Sequence, residues 1–235
     1  MEPSYATGLV WFRRDLRALD HAALYHALTH CQQVHCVFVF DTDILAPLPR
    51  ADRRVEFIRE SLVELDTHLR ELSGHAQGGL IVLHAVAVDA LPQLAQALGV
   101  NAVFTNHDDE PQALQRDNAV RTQLARNGVA MHTYKDHTVL ERDEVLTQSG
   151  TPYSVFTPYK NAWLRKIDDF YLKSYPVERH VHRLAPRPTE HARTVPTLGE
   201  IGFEQSTLGQ LKLPTGSRGA QQLFDDFLQR IERYE

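Results

Sequence analysis

Gly8-Leu9-Val10-Trp11-Phe12-Arg13-Arg14-Asp15-Leu16-Arg17 is the stretch that decides the fold. It begins as an apolar run with the character of a buried β-strand and turns, within one residue, into clustered charge. In an open α/β sheet, a core strand that ends this way delivers its charges to the carboxyl edge, where ligands bind. Downstream, the same rhythm repeats. Leu9–Phe12 is followed by an Ala/Leu-rich helix over His21–Thr29, and Val34–Phe40 is a second apolar strand that stops at Asp41-Thr42-Asp43. Past Pro47 and Pro49, apolar residues at Val55, Ile58, Leu62, Leu65, Leu69 and Leu72 recur at helical spacing until Ser73-Gly74. That stripe belongs to one long amphipathic helix, about 20 residues and ~30 Å in length.

Three more strands follow, at Leu80–Leu83, Val100–Thr105 and Val129–Tyr134. Between them lie a short helix capped by Asp89, with Pro92 in its first turn and Gly99 past its end, and a helix from Pro111 to about Arg126. Strands this uniformly apolar are covered on both faces, which predicts a five-stranded, parallel, doubly wound (Rossmann-like) α/β sheet over residues 1–135. An aromatic-rich extension with a helix (136–172: Tyr153, Phe156, Tyr159, Trp163) is expected to pack on that sheet. Residues 173–215, rich in Pro, Arg and His, are expected to be an interdomain linker, with Arg179, Arg183, Arg187 and Arg193 solvated. Residues 216–235 form a last amphipathic helix with Leu223, Phe224, Phe227, Leu228, Ile231 and Tyr234 on one side. Undocked, that stripe favours self-association.

Composition narrows the class. The 235 residues carry a formal net charge of −5, so no global basic field advertises nucleic acid, and weak or no DNA binding by this chain is expected. Cys31 and Cys36 are too far apart along one strand to pair, which suits a reduced, cytoplasmic chain. No apolar run has the length of a signal core or a membrane span. The 13 histidines are scattered without metal-ligand spacing, and no metal is expected. A Gly-x-Gly-x-x-Gly turn, a Walker motif and a nucleophile elbow are all lacking, so the chain offers no catalytic constellation of its own.

Four blocks, in order, resemble the DNA photolyase/cryptochrome family: Leu9–Arg17 with Asp20 behind it, Arg54–Leu62, Asn106-His107-Asp108-Asp109-Glu110-Pro111, and Thr151–Trp163. The resemblance implies an N-terminal α/β domain that often carries a light-harvesting antenna chromophore. It implies too that the chain enters the first helix of an all-helical domain that would hold catalytic FAD in a U-shape and receive damaged DNA. The whole protein would then be a deoxyribodipyrimidine photo-lyase, and this portion alone inactive. A cryptochrome-type photoreceptor domain and a freestanding flavin- or nucleotide-binding module are the alternatives.

On the same grounds, Asp15, Arg54, Asp108 and Glu110 are the antenna-binding candidates, and Tyr234 falls where the family places its first FAD contact. The residues themselves also allow Asp15 to pair with Arg13 or Arg17, and Glu110 to serve only helix entry beside Pro111. Folate-binding members have an Asn-Glu pair where this chain has Gln112-Ala113, which favours a flavin- or 8-hydroxy-5-deazaflavin-type chromophore over methenyltetrahydrofolate. The family's usual Asn is replaced here by His21.

Overall fold

The computed structural model describes residues 2–233. The elements are β1 (Tyr5–Phe12), α1 (Ala22–His30), β2 (Cys31–Asp41), the single turn α2 (Thr42–Leu45), α3 (Arg53–Ser73), β3 (Leu80–Ala85), α4 (Ala87–Ala97), β4 (Ala102–Asn106), α5 (Pro111–Arg126), β5 (Ala130–Tyr134), α6 (Phe156–Lys166) and α7 (Gly216–Leu228). The five strands are parallel in the order β3-β2-β1-β4-β5. Because β1 pairs with β2 on one side and β4 on the other, the chain reverses direction across the sheet at β1/β4, and the strand ends diverge there to leave a crevice.

Alternation along each strand divides the core in two. Val10 and Phe12 of β1, Phe38 and Phe40 of β2 and Phe104 of β4 face α1 and α3. Leu9 and Trp11, Val37 and Val39, and Val103 face α4 and α5. β1 lies against its neighbour so closely that a Cβ on Gly8 would stand 2.5 Å from Cys31 Sγ. Gly74, at φ 66°, ends α3 in the left-handed conformation that its sequence position suggests. α4 starts at Ala87, after an N-cap at Val86 with no side-chain cap, so Asp89 lies in the first turn and Pro92 one turn further on.

The segment expected to be a linker is part of the core. Val177, Leu184, Val195, Ile201 and Phe203 are buried with the α1/α3 layer. Leu184 forms a parallel bridge to Val34, and the Ala185 amide donates to the Val34 carbonyl at 2.8 Å. Two of the arginines expected in solvent are anchors. Arg183 donates to the carbonyls of Leu28 and Thr29, capping the C-terminus of α1. Arg187, 6% exposed, donates to Asp66 Oδ1 at 3.1 Å and to the carbonyls of Leu80 and Arg193. Asp66 also accepts the Leu80 amide, so one buried ion pair joins α3, β3 and the connecting segment. α1 and α3 do not cover their face alone, and this segment completes the layer.

That coverage accounts for a second correction. α6 buries none of its residues, and Phe156 is 72% exposed, so the aromatic extension does not pack on the sheet as expected. Helices and the connecting segment have already filled both faces. α7 begins against α3, with the Arg218 amide donating to Glu64 at 2.9 Å, while Leu223, Phe224 and Leu228 stay exposed. Tyr234 lies outside the described residues.

Arg187→Ala removes the buried partner of Asp66, which keeps Arg70 and the Leu80 amide. The expected loss is about 1.5–3 kcal/mol of stability, the range for a hydrogen bond to a charged group, measured by urea unfolding. Arg193→Ala, a control whose backbone carbonyl still meets Arg187, should cost under about 0.5 kcal/mol.

Candidate functional site at the carboxyl edge of the sheet

The charges that end β1 are distributed among different partners. Arg13 turns to α5, where its Nη1 donates to both Asp117 oxygens at 2.6 and 2.7 Å while its guanidinium lies over the Trp11 ring at 4.8 Å. It also donates to the Asn106 carbonyl at the end of β4. Arg14 points outward to Glu110 at 2.8 Å and Asp108 at 3.3 Å. Arg17 pairs with Asp136 at 2.8 Å and donates to the Asp20 carbonyl. Neither Arg13 nor Arg17 spends its guanidinium on Asp15.

Asp15 and His21 face each other in the interior, Nε2 to Oδ2 at 2.8 Å, with side chains 2% and 0% exposed. His21 is the N-cap of α1, and its Nδ1 accepts the Leu24 amide at 3.0 Å. An Nδ1 that accepts puts the ring proton on Nε2, aimed at Asp15. The 3.3 Å approach of Asn106 Nδ2 to the same Nε2 is therefore a contact between two donors and not a bond. Asn106 Nδ2 donates to Asp15 and, at 2.9 Å, to Asp136, while its Oδ1 accepts the Ala23 amide at 2.9 Å. Asp136 also accepts the Ala22 amide at 3.2 Å. Both carboxylates thus sit at the positive end of α1. Burial by itself would raise the Asp15 carboxyl, but the hydrogen bonds from His21 and the Arg13 amide outweigh it and hold Asp15 well below the usual carboxylate range.

Above this buried layer an open cleft of about 380 Å³ is lined by Arg14, Asp15, Arg17, Asp136 and His137. Side-chain exposures of 53% for Arg14 and 35% for Arg17 leave donors facing it. Asp15, His21 and Asp136 bring ligand atoms within 4.8 Å of one another, but the donor set does not suit a metal. A coordinating imidazole donates through its other nitrogen, whereas His21 accepts there, and Asn106 and Arg17 already fill the carboxylate oxygens.

Of the sequence candidates, Asp15, Asp108 and Glu110 meet around the β1/β4 crevice, the last two through Arg14. Arg54 is 71% exposed and pairs with Asp52, the N-cap of its own helix, at 2.6 Å. Among the described residues no hydrogen bond or ion pair joins Arg54 to the other three. His21, Asp136 and His137 were not foreseen, and Asn106 was legible only as part of a block. The departure at position 21 was a signal, since a family Asn immediately before a helix is a cap, and His21 does the same work.

His21→Asn should preserve the cap and cost under about 1.5 kcal/mol, whereas His21→Ala should cost about 3–5 kcal/mol by losing the cap and leaving Asp15 without the ring. The Asp15 carboxyl is depressed in the folded state, so its stabilisation is complete above its ordinary value of 3.8 and fades as pH falls below it. Urea unfolding of both variants at neutral and acidic pH measures these differences.

A family model described as DNA photolyase matches residues 8–180. A 31.6 kDa protein in the atpI 5′ region of Synechococcus sp. (strain PCC 6716) is 32% identical over 227 residues, covering 96% of this chain and 76% of that protein. The deoxyribodipyrimidine photo-lyase of Halobacterium salinarum is 31% identical over 247 residues, 97% of this chain but 47% of that enzyme. The solved photolyase of Sulfolobus tokodaii, described as holding two FAD molecules and as implying a novel light-harvesting cofactor, superposes with a TM-score of 0.57 at 29% identity, over 69% of this chain and 35% of its own. The chain thus spans about half or less of these photolyases. With the β1 end, the β4 loop and the aromatic block all inside the matched span, this chain belongs to the DNA photolyase family.

Proposed function

We propose that the chain is the antenna-chromophore domain of a light-dependent lyase that splits cyclobutane pyrimidine dimers. It would hold a flavin- or 8-hydroxy-5-deazaflavin-type ring beside Asp15, Arg54, Asp108 and Glu110. The observation that carries this reading is the cleft at the β1/β4 reversal, where such folds take their ligands. Its donor set fits the group. Arg14 and Arg17 offer N–H groups to ring carbonyls, Asp108 and Glu110 offer acceptors to ribityl hydroxyls, and Asp15 forms the floor. Arg54, exposed at the start of α3, would exchange its pair with Asp52 to stack on or pair with an anionic ring. The buried Ala113 stands where a folate-gripping carboxylate would be needed. Such a chromophore absorbs light and passes the excitation on. In the whole protein, the helical part would hold reduced FAD, which would supply the electron that opens the dimer and take it back afterwards. Damaged DNA is met by that part, and repair by this chain alone is not expected.

A second reading, a freestanding flavin- or nucleotide-binding module, is favoured by the match to most of a 31.6 kDa relative. Dimer repair under blue light by the full-length gene product supports the first reading, and its absence supports the second.

Fluorescence titration with flavin mononucleotide, 8-hydroxy-5-deazaflavin and methenyltetrahydrofolate tests the site. Flavin or deazaflavin should bind, and Arg54→Ala should weaken that binding by about tenfold, or ~1.4 kcal/mol. Equal affinities for the two proteins, or tight binding of the folate alone, refute the assignment.

A further inference from the structure

On the α1/β5 side of the sheet a second cluster carries chemistry that the antenna reading does not use. His26 of α1 stacks flat on Tyr134 of β5, with centroids 4.1 Å apart and planes 6° apart, and lies 5.8 Å from His30 on the same helix. His30 Nδ1 donates to the His26 carbonyl at 2.7 Å. His132, the next inward-facing residue of β5 before Tyr134, sits by Phe104 and bonds the Tyr5 hydroxyl at 3.0 Å. The connecting segment closes over this group. Tyr175 packs on both Tyr25 and His26, at 5.5 and 5.7 Å, and His180 packs on Tyr25 at 5.8 Å.

We infer that the imidazoles of His26 and His180, which pack across the junction on Tyr175 and Tyr25, form an acid-released latch that holds the connecting segment, Tyr175 to Leu184, on α1. Neutral rings permit the stack. Protonation would charge both rings of this aromatic group, with Arg183 already supplying a like charge beside His180. The other titratable neighbours do not compensate. Burial first, then nearby groups, push the Tyr134 phenol up to about 12, and burial, opposed by Arg183, pushes the Cys31 thiol up to about 12. Tyr175 is raised as well, by burial and then Asp136, so all three stay neutral in mild acid. Asp20 and Asp136 lie on this side, and Glu178 is in the segment itself, two residues before His180. Asp20 accepts the Tyr175 amide and Asp136 is committed to Asn106 and Arg17; among the described residues no ion pair joins any of the three to His26 or His180.

The direction of the response follows from linkage. Burial first, and His30 second, hold the latched His26 at about 4, against 6.5 for a free ring. Burial also lowers His132, with His30 adding to it, and lowers His180, with Arg183, His182 and Arg179 adding to it. The released state therefore binds more protons between those values. The latch is complete above 6.5 and weakens as pH falls toward about 4. For His26 alone the ceiling at pH 5 is about a 30-fold gain in opening.

The test is amide exchange at Leu184 and Ala185 in the full chain, corrected for intrinsic rates, between pH 7.5 and pH 5. Protection should fall about tenfold in the wild type. His26→Phe keeps a ring on Tyr134 without a titrating nitrogen and should reduce the fall to under about threefold. Constant protection in the wild type, or an equal fall in the variant, overturns the latch. If the variant does not fold, the His26 ring resonances of the wild type decide: a midpoint below pH 5 supports the latch, and one near 6.5 overturns it.

Discussion

The edge of this domain depends on keeping two carboxylates charged inside it. Asp15 and Asp136 sit beneath the β1/β4 reversal, where water cannot solvate them, and a buried carboxylate without donors is strongly unfavourable. Asn106 meets the requirement by giving both of them its side-chain N–H₂ while accepting the Ala23 amide with its oxygen. His21 adds a donor to Asp15 and caps α1 with its other nitrogen. One network therefore fixes the end of β1, the end of β4, the start of α1 and the loop after β5, and these four segments also shape the cleft.

The consequence for the site is a division of labour among charges that are adjacent in sequence. Arg13 and Asp15 are structural, locked to Asp117 and to His21, whereas Arg14 and Arg17 keep exposed guanidinium faces toward the cleft. Under the proposed reading, a ligand there would meet exposed donors above a buried floor. Weaker contacts of Arg14 with Asp108 and Glu110 can be exchanged for ligand contacts at little cost, since exposed pairs contribute at most about 1 kcal/mol.

The opposite layer of the sheet is completed from far along the chain. Arg187 on Asp66 and Arg183 on the last carbonyls of α1 hold the connecting segment against α3 and β2. The segment thereby buries Val177, Leu184 and Phe203 in the α1/α3 layer. The polar residues that suggested a solvated linker are the ones that pin it down. The start of α7 adds a further contact to α3, through the Arg218 amide on Glu64.

The amino-acid sequence by itself determined the strands, their parallel order of burial and the place of the site, because apolar runs without alternation have to be covered on both faces and because charge at a strand end has to surface at an edge. The family resemblance singled out Asp15, Arg54, Asp108 and Glu110, and those rules put them at one edge, where the structure gathers all but Arg54. What only the tertiary structure decided was pairing. Nothing local distinguishes Arg13 from Arg14 or Arg17, yet each finds a different carboxylate, Asp117, Glu110 or Asp136, about 100 residues or more away. Nor does local sequence reveal that Arg187 is buried, that Arg54 turns back to Asp52, or that α6 finds no face left to cover. Periodicity reports which residues leave water; which polar groups accompany them is settled by donors and acceptors that meet only when the chain has folded.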